Sequence, residues 1–331
     1  MNKYYFVCGK NSLETRMMVQ REIERWITSI ELQKIVKAFH GQIPKEDNIK
    51  KLAYWLLKFS DNWDYRRKQR EAKDSKTGET ARWMLNNNTI SNEQEDIVFS
   101  NIERLGLKGI SEPRMDQYDY IIALGGARMS CMLRPRFSWE LLQKKLRAPK
   151  AVVMLSGMRR VADSERIATD TYAPNAETEY DLINAGVEAV FNLEKEYVEE
   201  RYHSLNPNRE WAIRRYETTQ YNYEILSISG PSLQPEMRRA NSADTFRFFA
   251  EKQKIGQESK VLLVTSQIYV PYQQMEAIRT WALPNNVYVE SVGFPLEWND
   301  INQQGMMTAA NYLQEIRSTI QAINRYLGNE V

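Results

Sequence analysis

Cysteine and histidine are scarce in this sequence of 331 residues, which contains only Cys8, Cys131, His40 and His203. A disulfide framework needs more cysteines, and a structural zinc site takes four Cys or His ligands, so neither is expected. No metal is predicted. Cys131 is expected to be a small buried thiol. Both histidines lie in segments poorly suited to catalysis, so acid–base chemistry would have to use carboxylates.

Long apolar runs are also missing. No window approaches the roughly 18 consecutive apolar residues of a membrane span, and the first ten residues, MNKYYFVCGK, lack the apolar stretch of a signal peptide. We therefore expect a cytoplasmic protein without a membrane partner. The net charge is only +2, which excludes a molecule that binds nucleic acid over its whole surface. The basic run DYRRKQREAKDSK at 64–76 keeps a local nucleic-acid contact open, although a solvated helix end or loop is more typical of such a run.

Residues 1–111 have the pattern of helices. Ser91 and Gln94 have the spacing of a capping box at a helix start, and a single strand is considered at Tyr4–Val7. Helical spacing is shared by Leu13, Met17, Val19, Ile23, Trp26, Ile27, Ile30 and Ile35, and again by Leu52, Trp55, Leu56 and Phe59. We predict an all-helical N-terminal domain or cap. The sequence leaves the oligomeric state open, and this region is the one that would form the contact in a homo-oligomer.

The pattern changes in residues 112–331, where short apolar runs alternate with segments of helix length. The five runs are Tyr120–Leu124, Ala151–Leu155, Ile225–Ile228, Val261–Val264 and Val287–Val292. Such alternation is typical of a parallel sheet covered by helices on both faces. We predict a Rossmann-like α/β domain, with residues 193–223 as a possible insertion beside the sheet.

Small residues, hydroxyls and arginines follow these predicted strands. In an open parallel sheet, ligands bind outside the carboxyl ends of the strands. Exposed backbone N–H groups and arginines suit a phosphate or carboxylate, and a glycine pair after the first strand would let the backbone approach the ligand closely. The candidate ligand-binding residues are Gly125, Gly126, Arg128, Ser156, Gly157, Arg159, Arg160, Thr265, Ser266 and Gln267, with Asn241, Ser242 and Thr245 at a predicted helix start.

Three common catalytic or nucleotide-binding signatures are absent. The turn GGARMS matches neither the dinucleotide fingerprint nor the P-loop, and no serine-hydrolase elbow is present. Acid–base chemistry at the predicted edge would therefore depend on Glu179 or Asp244 as a general base.

The segments DYIIALGG, AVVMLSG, ETEYDLINAGV, SADT and VLLVTSQIYVPYQQ, in this order over about residues 118–295, resemble the YdcF/SanA/ElyC-like family of bacterial α/β domains. The resemblance implies a Rossmann-like sheet with a pocket at the strand ends, and S-adenosylmethionine binding for some relatives. It implies pocket positions at Gly125, Gly126, Ser156, Gly157, Glu179, Ser242, Thr245, Thr265 and Ser266. Where that family has a histidine and an arginine, this chain has Tyr269 and Tyr272, which suit stacking on a ring better than proton transfer.

Three functions remain open at this point. The first is binding of a small anionic molecule with a ring, a nucleotide or S-adenosylmethionine, with transferase or hydrolase chemistry if a carboxylate acts as base. The second is a non-catalytic nucleotide sensor or interaction protein. The third is nucleic-acid binding through residues 64–76.

Overall fold

A seven-stranded sheet lies at the centre of the protein, in a computed structural model that describes residues 11–68, 85, 89–109, 112–147, 149–298 and 307–331. The strand order in the sheet is β3-β4-β5-β2-β1-β6-β7. Strands β5, β2, β1, β6 and β7 are parallel to one another, while β3 and β4 are added as antiparallel strands at one edge. The strands, numbered in chain order, are β1 Tyr120–Leu124, β2 Ala151–Ser156, β3 Tyr197–Tyr202, β4 Trp211–Tyr216, β5 Glu224–Ser229, β6 Lys260–Ser266 and β7 Tyr288–Phe294.

The parallel strands are continuous apolar runs because both of their faces are covered. The sequence of β2, AVVMLS, is buried along its whole length. Strand β1 pairs with β2 on one side and with β6 on the other, so the chain builds the sheet outward in both directions from β1. The point where this order reverses is the place where doubly wound folds leave a crevice for ligands.

Helices cover both faces of the sheet, which confirms the predicted α/β class. Two of them, α5 and α7, lie on one face, and α8, α9 and α10 lie on the other. The helices are α1 Leu13–Ile27, α2 Ile30–Ala38, α3 Ile49–Phe59, α4 Asn92–Asn101, α5 Ser130–Lys144, α6 Asp163–Thr169, α7 Glu179–Phe191, α8 Ser242–Gln253, α9 Val270–Ala277 and α10 Ala309–Tyr326. A π-helical turn, Ile278–Ala282, and a short helix, Leu283–Asn285, continue α9.

The N-terminal helices pack on α10 and share its hydrophobic core. Trp26 and Leu56 belong to the same buried cluster as Ile316 of α10 and Val153 of the sheet. Polar contacts reinforce this packing, since Arg317 pairs with Asp61 at 2.7 Å. The helical region and the α/β region are therefore joined by one continuous core across the predicted boundary at residue 111.

The segment 193–223, predicted as a possible insertion beside the sheet, contains the antiparallel pair β3 and β4, which the apolar pattern did not predict as strands.

The predicted capping box is confirmed, because the Ser91 hydroxyl accepts from Gln94 N–H and the Gln94 side chain accepts from Ser91 N–H. The possible strand at Tyr4–Val7, Cys8 and residues 69–76 of the basic run lie outside the described residues. Nowhere in the described part of the chain does a helix combine the length and apolar character needed to cross a membrane.

Candidate functional site

A cavity of about 620 Å³ opens at the carboxyl ends of the parallel strands. Its floor is formed by residues at or just after the ends of β1, β2, β5 and β6, including Gly125, Ser156, Gly230 and Ser266. Helices α5, α7 and α8 begin at this same edge because each follows a strand in a parallel sheet. Their positive dipole ends are therefore near the cavity.

Arginines dominate the charged lining of the cavity. Among the described residues, seven arginines and four glutamates line it, so the net charge of the lining is positive. Such an excess of guanidinium groups favours an anionic ligand, because a guanidinium makes two parallel hydrogen bonds to a carboxylate or phosphate. The arginines are Arg66, Arg128, Arg134, Arg159, Arg160, Arg238 and Arg239, and the glutamates are Glu165, Glu179, Glu210 and Glu315.

Arg159 is held between two carboxylates. Its Nη1 lies 2.5 Å from Glu165 Oε1, and its Nε lies 3.0 Å from Glu179 Oε2. Burial alone would lower the pKa of Arg159, but Glu179 and Glu165 outweigh it and raise the pKa above its ordinary value. Arg159 therefore fixes the two glutamates and has little positive charge left to offer a ligand.

Arg134 joins the two strands at the point where the strand order reverses. Its Nη1 donates to the carbonyl oxygens of Leu124, at 2.8 Å, and Gly125, and its Nη2 donates to Ser266 Oγ at 3.1 Å. Its guanidinium also lies over the ring of Tyr269, 5.9 Å from the centroid. Arg134 thereby places a buried positive charge beneath the predicted binding edge.

Arg128 is buried at the same edge in an unusual backbone conformation. Its φ angle is +53°, in the left-handed region that non-glycine residues seldom adopt. Its N–H donates to Glu165 Oε2 at 3.3 Å, and its carbonyl oxygen accepts from the hydroxyl of Tyr172 at 2.8 Å. Burial lowers the pKa of Arg128, although Glu165 acts in the opposite direction. A bound anion would offset this desolvation of the charged form.

The three glycines predicted to line the binding site, Gly125, Gly126 and Gly157, differ in what surrounds them. A Cβ at Gly125 would meet Glu179 Oε1 and the Ser156 side chain, and a Cβ at Gly126 would lie 2.9 Å from Ser130 Cβ. A Cβ at Gly157 would meet nothing within 4 Å. None of the three has a positive φ angle. Gly125 and Gly126 thus make room for the protein's own side chains, and only Gly157 presents open space to the cavity.

We expect opposite outcomes when two of these glycines are replaced by alanine. Gly126→Ala should lower the free energy of unfolding by about 1–3 kcal/mol, because the new methyl group forces Ser130 and Arg134 to move. Gly157→Ala should leave it unchanged or raise it by about 0.4–1 kcal/mol, since alanine restricts the unfolded chain. Urea unfolding of both variants measures the difference, and equal stabilities would contradict the geometry described here.

Most of the predicted binding and catalytic residues line the cavity, but three of them do not. Thr265 and Gln267 are buried, the latter against Gly109 and Gly293, and neither reaches the lining. Asp244, predicted as a general base, caps α8 by accepting from Asn241 N–H at 2.9 Å and pairs with Arg238. The predicted residues that do line the cavity are Gly125, Gly126, Arg128, Ser156, Gly157, Arg159, Arg160, Glu179, Asn241, Ser242, Thr245, Ser266, Tyr269 and Tyr272.

The Cys131 thiol is fully buried, and it donates to the carbonyl oxygen of Gly126 at 3.1 Å. Burial is the main cause that raises the pKa of Cys131 to about 12. A neutral thiol of this kind is a poor nucleophile near neutral pH. Neither His40 nor His203 is among the described residues that line the cavity.

Comparison with known proteins gives two kinds of match. A family model described as the Rv3785 N-terminal domain matches residues 10–106. Over 320 residues the chain is 33% identical to Uncharacterized protein Rv3785 of Mycobacterium tuberculosis (strain ATCC 25618 / H37Rv), covering 92% of this chain and 88% of that protein. The chain belongs to the Rv3785 family. Uncharacterized protein Mb3814 of Mycobacterium bovis matches with the same identity and coverage. No solved structure matches the chain.

The part of this chain that matches the Rv3785 N-terminal domain contributes Arg66 to the cavity, which the sequence pattern did not predict. Arg66 lines it, and the Arg66 N–H donates to Gln314 of α10 at 3.2 Å. Asn311 and Glu315, in the first two turns of α10, line the same cavity. No local signal marks these residues, because tertiary packing of α10 on the N-terminal helices brings them to the strand ends. The turn between β3 and β4 adds Pro207, Asn208 and Glu210.

Proposed function

We propose that this protein binds a small anionic molecule that carries a ring, of the nucleotide type, in the cavity at the strand ends. The observation that carries the proposal is the excess of arginines over glutamates in a cavity of about 620 Å³. A cavity of this size suits a small molecule, since ligand pockets are typically about 300–1,000 Å³. The cytoplasm, where the sequence predicts the protein, is rich in such ligands.

The side of the cavity formed by α9 supports the part of the proposal that concerns the ring. Tyr269 and Tyr272 line this side together with Gln273. The Gln273 side chain donates to Ser242 Oγ at 3.5 Å, and its Oε1 is buried without a hydrogen-bond partner among the described residues. Tyrosine rings can stack on a base, and an amide oxygen can accept from a base amino group.

The charge of the lining favours a phosphate-bearing nucleotide over S-adenosylmethionine. S-adenosylmethionine carries a sulfonium and an ammonium against one carboxylate, so an arginine-rich cavity repels two of its three charged groups. A nucleotide phosphate carries only negative charge. We therefore propose a nucleotide, although the resemblance to the YdcF/SanA/ElyC-like family implies S-adenosylmethionine as well.

A binding protein is favoured over a transferase or hydrolase that uses a carboxylate as base. The Asp244 side chain already caps the N-terminus of α8 and forms an ion pair with Arg238. Glu179 is bonded to Arg159 through one of its oxygens. General bases must reach the proton that they remove, and Asp244 lies outside the cavity lining. A sensor or interaction protein, in which ligand binding is read by the helical region that supplies Arg66, fits these contacts better.

Nucleic-acid binding through the basic run is the less favoured alternative. In the part of that run that the structure describes, Arg66 lines the cavity and Asp64 pairs with Arg317 at 3.5 Å. Lys68 lies over the ring of Tyr65, 5.2 Å from its centroid. These side chains contact the protein itself, which reduces the charge available to a nucleic-acid backbone.

Calorimetric titration with ribonucleoside mono- and diphosphates tests the proposal. We expect at least one of them to bind, and Arg160→Gln or Arg239→Gln to weaken its affinity by at least about tenfold, because hydrogen bonds to charged groups contribute about 1.5–3 kcal/mol. Arg136→Gln is the control, since Arg136 is an exposed arginine of α5 that pairs with Glu140. Absence of binding to every nucleotide, or equal affinities for all three variants, would overturn the proposal.

A further inference from the structure

Two side chains at the floor of the cavity keep polar atoms without hydrogen bonds to the described residues. Ser156 is the last residue of β2 and is only 3% exposed, and its hydroxyl has no hydrogen-bond partner among the described residues. Glu179 begins α7 and uses Oε2 to accept from Arg159 Nε at 3.0 Å, while Oε1 accepts from no described group. Buried polar atoms in folded proteins are nearly always bonded. Ser156 Oγ is a buried atom of this kind, while the Glu179 side chain, 14% exposed, leaves Oε1 as an unused acceptor beside it.

Gly125 brings these two side chains together. A Cβ at Gly125 would meet Glu179 Oε1 and would lie 2.7 Å from Ser156 Cβ, so both side chains contact the same face of the glycine. Both also line the cavity. The sequence has a glycine here because any larger residue would push the carboxylate and the hydroxyl away from the strand end. The glycine at position 125 thus accounts for the close packing of Glu179 and Ser156. It does not account for Ser156 Oγ and Glu179 Oε1, which are left without hydrogen bonds to the described residues.

We propose that Glu179 and Ser156 form a subsite for the vicinal hydroxyl groups of a ribose. This inference rests on the proposed function and adds the sugar to the ligand. An ionised carboxylate only accepts hydrogen bonds, and a serine hydroxyl both donates and accepts. A pair of adjacent hydroxyls supplies one donor to Glu179 Oε1 and one partner to Ser156 Oγ.

The same chemistry argues against an anion at this subsite. A phosphate there would face the Glu179 carboxylate, whose charge is close to Ser156, and Glu165 adds a second carboxylate on the far side of Arg159. A neutral diol meets no such repulsion. The anionic group of the ligand then lies toward the other arginines of the lining, Arg160 and Arg239 among them.

Arg159 holds the Glu179 side chain in place through their salt bridge. Arg159 bonds Glu165 and Glu179 at once, which holds the Glu179 side chain in one orientation. An acceptor that is fixed before the ligand arrives binds it more tightly, because less conformational entropy is lost on binding. Glu179 is therefore assigned to sugar recognition, a role that needs no proton transfer.

The test compares ribonucleotides with their 2′-deoxy counterparts by calorimetric titration. We expect the wild-type protein to bind the tightest of the four ribonucleoside 5′-monophosphates at least tenfold more tightly than the matching 2′-deoxynucleotide. In Ser156→Ala and in Glu179→Gln this ratio should fall by fivefold or more. Ser156→Ala should keep its stability, because the hydroxyl that it removes has no hydrogen-bond partner among the described residues. Ser164→Ala, at an exposed serine elsewhere in the lining, should keep the wild-type ratio.

The outcomes separate this inference from the proposed function. If no nucleotide binds the wild-type protein, both are overturned. If nucleotides bind but ribose and deoxyribose are not distinguished, or if either folded variant keeps the wild-type ratio, the subsite is overturned and the proposed function stands. Circular dichroism of both variants confirms folding, and either variant alone is sufficient to decide.

Discussion

Gly186→Ala is expected to lower the free energy of unfolding by at least about 2 kcal/mol. A Cβ at Gly186 would collide with the carbonyl oxygen of Cys131 and lie 3.3 Å from Met132 Cα, where α7 crosses α5. Backbone atoms cannot move aside as a flexible side chain can, and overpacking of a tight core commonly costs about 1–3 kcal/mol. Urea unfolding followed by circular dichroism measures the loss.

Helix propensity alone predicts that Gly186→Ala raises the free energy of unfolding. The variant therefore tests whether α5 and α7 pack closely at this position. In the middle of a helix, alanine is about 1 kcal/mol more favourable than glycine. Gly157→Ala serves as the control, because its Cβ meets no atom within 4 Å. A Gly186→Ala variant as stable as the wild-type protein, or more so, would show that α5 and α7 do not approach as closely as described.

Arg159→Met is expected to destabilise the protein by about 3 kcal/mol at pH 7.5. The substitution keeps the apolar part of the side chain but leaves Glu165, 1% exposed, and Glu179 as two carboxylates without their shared cation. Removing one member of a buried ion pair costs about 3–5 kcal/mol, and the partial exposure of Arg159 places the loss at the lower end. Arg166→Met, in an exposed pair with Asp170, should cost less than about 1 kcal/mol. Unfolding curves at pH 7.5 measure both losses, and equal losses would contradict this difference.

The parallel strands could be predicted because burial on both faces leaves a continuous apolar run in the sequence. The β3 strand, YVEERY, gives no such signal, since it lies at the sheet edge and nearly all of its side chains are exposed. Strand β4, WAIRRY, carries two arginines, and Arg214 packs over the ring of Tyr197 at 3.7 Å from its centroid. Charged residues in these strands are accommodated by the edge and by aromatic neighbours, which a sequence pattern does not show.

The candidate site was predictable only where it follows the strands. Ser266 faces the cavity and Thr265 does not, because successive side chains of a strand point to opposite faces. Arg134 lies one turn inside α5, where its sequence context is that of any helical arginine. Arg66 and Glu315 reach the cavity only through the packing of distant helices. The cavity residues that directly follow a strand can be recognised from the local sequence, whereas those contributed by distant helices depend on the tertiary packing.

The position of β1 between β2 and β6 has a consequence for synthesis on the ribosome. The edge of β1 that β6 later covers stays open until Lys260–Ser266 has left the exit tunnel, on the order of ten seconds after β1 at usual elongation rates. During that interval the nascent chain presents an apolar strand edge of the kind that promotes aggregation. Because α10 follows all seven strands in the chain and carries the face on which the N-terminal helices pack, those helices also wait until Ala309–Tyr326 has been made. The protein is therefore expected to need chaperone protection while it is being made, and a chain that stops before α10 should be insoluble.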